Sequence, residues 1–260
     1  MKTAPPTEIK KGQPLIEIHD LVQEIHGQKI LCGLNLAILK GETLVFLGKS
    51  GGGKSVFLRH LIGLMHPVSG QILFEKKDIT RLKEREMATL RKKISMVFQD
   101  GALFDSMDVF DNVAFPLRER GERNENVIKQ RVEETLEMVN MNGHAHKMPV
   151  NLSGGMRKRV ALARSVIFHP EVILYDEPTA GLDPIVSDSI NNLIIRLQKQ
   201  LHATSVVVTH DMVSAYHIGN RFALLNEGQL HFLGSKSELK HSTDPIVSNF
   251  IKGRSSESDL

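Results

Sequence analysis

The chain has 260 residues but only one cysteine and two tyrosines, and it has no tryptophan. A lone cysteine, Cys32, excludes an internal disulfide and fits a reducing compartment. Beside Leu31 and Leu34 it reads as a small core residue. No run of about twenty apolar residues is present, so nothing in the chain is expected to span a bilayer. If the protein works on a membrane, another chain supplies the spanning part. The opening stretch, MKTAPPTEIKKGQP, lacks the apolar core of a signal peptide. Residues 1–14 and the polar tail 252–260 are expected to be flexible. The net charge of +3 is too small to point to nucleic acid, which is not expected as a partner. Basic runs such as Lys76-Lys77, Arg91-Lys92-Lys93 and Arg157-Lys158-Arg159 read as solvated faces. There are no internal repeats.

What the chain does have is GKSGGGKS from Gly48 to Ser55. Every fixed position of the phosphate-loop pattern G-x-x-x-x-G-K-[ST] is met. Apolar Thr43 to Leu47 suit a buried strand before it, and Val56 to Met65 carry helical spacing after it. Gly48, Gly51, Gly52 and Gly53 lack Cβ atoms, so the backbone can turn its N–H groups toward one point together with Lys49 and Ser50. The following helix adds its positive end. Lys54 can reach terminal phosphate oxygens, and the Ser55 hydroxyl can ligate Mg²⁺. The stretch implies a bound nucleoside triphosphate.

Around this loop, residues from Leu15 to Leu39 read as short antiparallel strands turning at His26-Gly27-Gln28. Strands are expected at Gln71–Phe74, Ile94–Phe98, Val172–Tyr175 and Thr204–Thr209, and a hairpin from Phe222 to Phe232. Helices are expected at Glu84–Arg91, Glu125–Met141, Arg157–Phe168 and Ile185–Gln200. Alternating strands and helices argue an α/β core with a mainly parallel sheet. An antiparallel β part precedes it, and a helical block is inserted after Gln99, spanning about 100–165.

Two more clusters carry chemistry. Glu171 to Pro178 (EVILYDEP) is an apolar strand ending in Asp176 and Glu177. Ligands sit beyond strand carboxyl ends in open parallel sheets, so this end can meet the phosphate loop. Asp176 can then hold Mg²⁺, and Glu177 can orient and deprotonate water. Leu152 to Met156 (LSGGM) opens a helix with Ser153, Gly154 and Gly155, a second anion-binding end. With only one lysine-bearing loop, that end is suited to a nucleotide held elsewhere, such as on a second copy. His210 follows an apolar strand and could touch both terminal phosphate and acid. Gln99 could ligate Mg²⁺ or position water.

With these clusters in this order, the chain resembles the nucleotide-binding subunit of ABC transporters. The correspondence runs from Leu15 to Ile251, with Gln99 at the Q-loop, Leu152–Met156 at the signature, Ala180–Asp183 at the D-loop and His210 at the switch position. The resemblance implies a P-loop NTPase fold and a cassette at 15–251 that binds ATP with Mg²⁺. It implies two copies packed head to tail, with Ser153, Gly154 and Gly155 of one gripping the triphosphate of the other. It also implies an integral-membrane permease, with accessory and substrate-binding subunits, on the cytoplasmic side of the inner membrane. The family's adenine-stacking aromatic falls near Ile25-His26, where no Phe, Tyr or Trp stands, and His26 is expected in its place. Met156 replaces the usual signature glutamine. Met96–Arg120, NLSGGMRKRVALARS and YDEPTAGLDPI narrow the resemblance to the Mla-type ATPases, which energise phospholipid movement between bacterial membranes. Another cargo system, or a cytosolic ATPase for cofactor assembly, is the alternative.

Overall fold

The chain opens with two twelve-residue strands, β1 (Pro14–Ile25) and β2 (Gln28–Leu39), paired antiparallel. They are far longer than the short strands expected. Asp20 carries a left-handed φ of 47°, a break that does not end the strand. The Asn35 side chain clamps it instead, with Oδ1 accepting from Asp20 N at 3.0 Å and Nδ2 donating to Asp20 Oδ1 at 2.8 Å. One of the four register shifts of this pair sits there, between Ile18 and Leu21, as a bulge does. The structure, a computed structural model, describes residues 12–254. The flexible ends expected of the chain lie mostly outside those residues, although Pro14 already belongs to β1 and Lys252 to the last helix described below.

β3 (Thr43–Gly48) leads into α1 (Lys54–Leu61). Then come β4 (Ser69–Phe74), β5 (Lys77–Asp78), α2 (Glu84–Leu90) and β6 (Ile94–Val97). Three helices follow: α3 (Val109–Glu119), α4 (Glu125–Met138) and α5 (Gly154–Val166). The chain returns through β7 (Val172–Asp176), α6 (Pro184–Leu201) and β8 (Thr204–Val208). It ends with α7 (Met212–Ile218), β9 (Arg221–Asn226), β10 (Gln229–Ser235), α8 (Lys236–Lys240) and α9 (Pro245–Lys252). The three short helices α7, α8 and α9 were not foreseen from apolar periodicity. Their caps were the available signal: Asp211, Ser235 and Asp244 each accept a backbone N–H of the first turn.

Two sheets result. One is antiparallel, in the order β2-β1-β4-β5. The other has six strands in the order β10-β9-β3-β8-β7-β6, parallel throughout except at the β10–β9 edge hairpin. The expected α/β core, antiparallel N-terminal sheet and helical insertion are all present.

The parallel strands are buried on both faces, which is why β3, β7 and β8 read as unbroken apolar runs. Their side chains still alternate between two cores. Val45, Leu47, Ile173, Tyr175 and Val207 face the core shared with α3 to α7. Leu44, Phe46, Val172, Leu174, Val206 and Val208 face the core shared with α1 and the antiparallel sheet. Phe46 stacks on Phe57 of α1, ring centroids 4.5 Å apart, and this contact fixes the helix against the strand that precedes the phosphate loop. Cys32 is only half-buried, beside Gly228, because its neighbours Leu31 and Leu34 take the inward positions.

Phe46→Ala removes a fully buried aromatic side chain and its stacking contact with Phe57. We expect a loss of about 3–5 kcal/mol. It is checked as a lower urea midpoint at unchanged slope in equilibrium unfolding.

Candidate functional site

Parallel pairing sets the site. β3 and β7 lie on either side of β8, with Phe46 level with Val208 and Val208 level with Asp176. The carboxyl ends of the three strands therefore share one edge. The loop leaving β3 turns tightly, with Gly52 N donating to Lys49 O at 3.1 Å. Gly53 caps α1 at a φ of 93°, and a Cβ there would lie 2.9 Å from Ile30 Cγ2. A side chain is thus excluded twice over, by backbone conformation and by the β2 strand beneath it. Lys54 is buried, and its Nζ donates to the carbonyls of Gly48 and Lys49, both at 2.8 Å. Burial holds its pKa below the usual lysine value, opposed by the nearby carboxylates of Glu177 and Asp176.

Asp176 is the last residue of β7 and is also buried. Ser55 Oγ donates to its Oδ1 at 2.8 Å, so the two predicted clusters meet. Burial pushes the Asp176 carboxyl above its ordinary value. The Ser55 hydrogen bond pulls the other way, and the Glu177 charge adds to the rise. A hydroxyl and a carboxylate are hard oxygen donors of the kind Mg²⁺ takes. Among the described residues no group of three His, Cys, Asp or Glu could cage a metal alone. The pair therefore suits an ion that draws its other ligands from phosphate and water.

Glu177, one residue on, has a left-handed φ of 46°. Its N–H donates to Val208 O at 2.9 Å, and its Oε1 lies 2.9 Å from His210 Nδ1. Gln99 stands two residues beyond the end of β6 and is exposed. His26, exposed at the β1–β2 turn with a φ of 50°, is four residues from the Ile30 that touches Gly53.

The LSGGM stretch behaves differently. Ser153 Oγ accepts from Met156 N at 3.3 Å and caps α5. A Cβ on Gly154 would approach Leu182 to 3.1 Å, and one on Gly155 would meet Val186 Cγ1 at 2.6 Å. Gly155 is buried and is needed for the approach of α5 to α6. The neighbours of this helix start are thus the residues around Asp183, the cap of α6, and not the Gly48–Ser55 loop.

Two features were missed. The run Arg157-Lys158-Arg159 is not one solvated face: at about 100° per residue its members point apart, and Lys158 is buried. Arg159 reaches Val139 O and Ser189 Oγ, both at 2.7 Å. A polar network also underlies the His210 loop. Asn191 Nδ2 donates to Ser214 Oγ at 2.8 Å, and that hydroxyl donates to Asp211 Oδ2 at 2.5 Å. Glu177, His210 and Asn191 line one cavity of about 330 Å³ with Gly181 and Pro184. No spacing rule links residues from α6 and α7, so no sequence signal marked this network.

A family model described as ABC transporter matches residues 31–180. The chain belongs to the ABC transporter family. It is 40% identical over 239 residues to the "Probable ribonucleotide transport ATP-binding protein mkl" of Mycobacterium leprae, covering 92% of this chain and 69% of the relative. It is 41% identical over 244 residues to the "Intermembrane phospholipid transport system ATP-binding protein MlaF" of Haemophilus influenzae, covering 94% of this chain and 92% of the relative. Among solved structures, a dimeric ATP-binding cassette in a post-hydrolysis state with ADP and phosphate superposes with a TM-score of 0.77. That pair is 30% identical, over 85% of this chain and 98% of the other. This ABC ATPase therefore binds and hydrolyses ATP as a transporter subunit. Among the described residues no helix is long and apolar enough to cross a membrane.

The raised Asp176 pKa carries a sign. Below both its folded and unfolded values the group adds nothing. As pH rises through the unfolded value, the unfolded chain ionises first and stability falls, until the folded value is passed. Asp176→Asn is therefore expected to unfold at the same or a higher denaturant concentration than the parent at pH 7, without nucleotide, while losing Mg²⁺-dependent hydrolysis. Paired urea titrations at pH 4 and pH 7 check this: the advantage grows at the higher pH.

Proposed function

We propose that this ABC ATPase powers phospholipid transfer through a separate membrane permease, from a peripheral position on the cytoplasmic side of the inner membrane. The reading is carried by the MlaF likeness, which extends over 92% of that relative's length. The mkl likeness gives the second reading, a ribonucleotide cargo, at nearly equal identity. Purification with the permease, followed by mass spectrometry of the bound molecule, separates the two. A co-purifying phospholipid supports the first, and a nucleotide cargo on the permease overturns it.

In the proposed cycle the amides of Gly48 to Gly53, with Lys49 and Ser50, wrap the ATP phosphates. Lys54 has three donors, two of them on loop carbonyls. A phosphate oxygen takes the place its ammonium is best fitted to serve. Ser55 and Asp176, with Gln99, would hold Mg²⁺, which would supply positive charge to offset that of the phosphates. Glu177 takes the proton of the attacking water, and His210, hydrogen-bonded to Glu177, contacts the terminal phosphate. His26 packs on the adenine.

A second copy completes each site head to tail, offering Ser153, Gly154 and Gly155 to the bound triphosphate. Three apolar side chains flank the surfaces involved: Val150 beside the signature, Ile185 after the D-loop and Val213 after His210 are 85%, 83% and 79% exposed. A partner surface would cover them. The permease docks elsewhere, in a groove of about 530 Å³ lined by Phe98, Phe104, Phe115 and Phe168 beside Arg91 and Arg120. Accessory and substrate-binding subunits complete the machine.

Glu177→Gln should keep ATP binding, lower kcat by about a hundredfold or more, and accumulate a dimer on size-exclusion chromatography with ATP. Ser153→Ala in that background should leave nucleotide binding by the monomer intact and weaken the dimer. Loss of monomer binding there would refute the in-trans role. Separately, Phe104→Asp should abolish co-purification with the permease at unchanged nucleotide affinity, because it removes an exposed aromatic contact from the groove and offsets the cations around it.

A further inference from the structure

Lys158 lies one turn inside α5, the helix capped by Ser153. Only 8% of it is exposed. Its Nζ donates to the carbonyl oxygen of Gln99 and lies 3.5 Å from that of Glu177. Its basic neighbours are engaged elsewhere: Arg157 donates to Leu152 O at 2.7 Å, and Arg159 bonds to Val139 and Ser189. Lys158 is thus the cation of this run that faces the site.

The two carbonyls belong to loops from different strands. Gln99 follows β6 and Glu177 follows β7, neighbours at the edge of the parallel sheet. The Glu177 backbone is in a left-handed conformation that is unfavourable for a non-glycine residue, so its surroundings must over-determine it. Three other bonds do so: its N–H to Val208 O, its carbonyl from Ala180 N at 3.1 Å, and its side chain to His210. Lys158 adds a fourth tie, the one that comes from the helical block. Burial lowers the pKa of this ammonium, and the charges of Asp100, Glu177 and Asp176 draw it back up. A buried charge is an expensive way to hold two carbonyls if holding them is all it does.

We propose that Lys158 is a positioning residue for hydrolysis, tying the Gln99 loop and the Glu177 turn to the helix that starts at the signature serine. A shift of α5, whether imposed by a second copy or by the permease, then reaches the water-orienting acid directly. The close approach of Gly155 to Val186 packs the start of α5 against the start of α6, so a displacement of one bears on the other. The proposal rests on the assignment of Glu177 as the base.

The test uses the full chain with Lys158→Gln, Lys158→Met and Lys158→Arg, measured for steady-state ATP hydrolysis and for affinity toward a non-hydrolysable ATP analogue. The Gln and Met variants should lose about tenfold or more in kcat, with KM and analogue affinity within about twofold. Lys158→Arg, which keeps charge and donors, should recover most of the kcat. A folded Gln or Met variant with parental kcat overturns the proposal. So does a loss that falls on analogue affinity instead of kcat, or an Arg variant no better than Gln. If Lys158→Met fails to give the parental circular dichroism spectrum, the Gln and Arg pair decides alone. Glu177→Gln is measured beside them. Near-parental turnover there removes the base assignment, whereas a slow Glu177→Gln with a normal Lys158→Gln removes only the Lys158 proposal.

Discussion

Parallel pairing of β3 with β8 and of β8 with β7 is the constraint on which everything else in this molecule depends. It aligns three strand ends on one edge and leaves no freedom in how far apart their loops begin. The hydrogen bond from Ser55 to Asp176 spans 121 positions of sequence and forms at 2.8 Å because of that alignment. A slip of one residue along any of the three strands would turn its inward side chains to the other face and withdraw either the hydroxyl or the acid. The alternation of side chains between two cores guards against such a slip. Phe46 stacks on Phe57 on one face, while Val45 and Leu47 pack on the helices of the other.

The site built on this frame is not locally at ease. An ammonium and two carboxylates are buried together, Lys54 with a lowered pKa and Asp176 with a raised one. Glu177 holds a left-handed backbone. Each departure costs stability, and in the proposed cycle each has a use: the lysine would meet phosphate, the acid a divalent cation, and the glutamate water. The two large apolar cores offset the cost at a distance. The site can therefore be tuned by substitutions in the strands that never touch nucleotide.

Local motifs were readable because they state their chemistry within a few residues. Gly48 to Ser55, Asp176-Glu177 and Ser153 to Gly155 suggest phosphate or metal binding by residue type and spacing, and the apolar runs before the first two announce the parallel strands β3 and β7. The family assignment follows from their order. Less was readable where the determinant is a contact between distant segments. The continuity of β1 through Asp20 depends on Asn35 of another strand. That Gly155 also lets α5 approach Val186 of α6 is a contact its motif does not announce. Lys158 looked like one of three solvated cations, because the loops of Gln99 and Glu177 come to it only after the sheet has formed. The short terminal helices escaped because five to eight residues give little periodicity to read.

The central position of β3 has a cost in time. It lies between β8 and β9, whose residues are made about 160 and about 180 positions later. At about 5–20 residues per second, a ribosome leaves this fully buried strand without either neighbour for roughly 10–30 s. Such long-range pairing is slow to form and prone to wrong partners meanwhile. Among the described strands, the one that launches the nucleotide loop therefore waits longest for a partner.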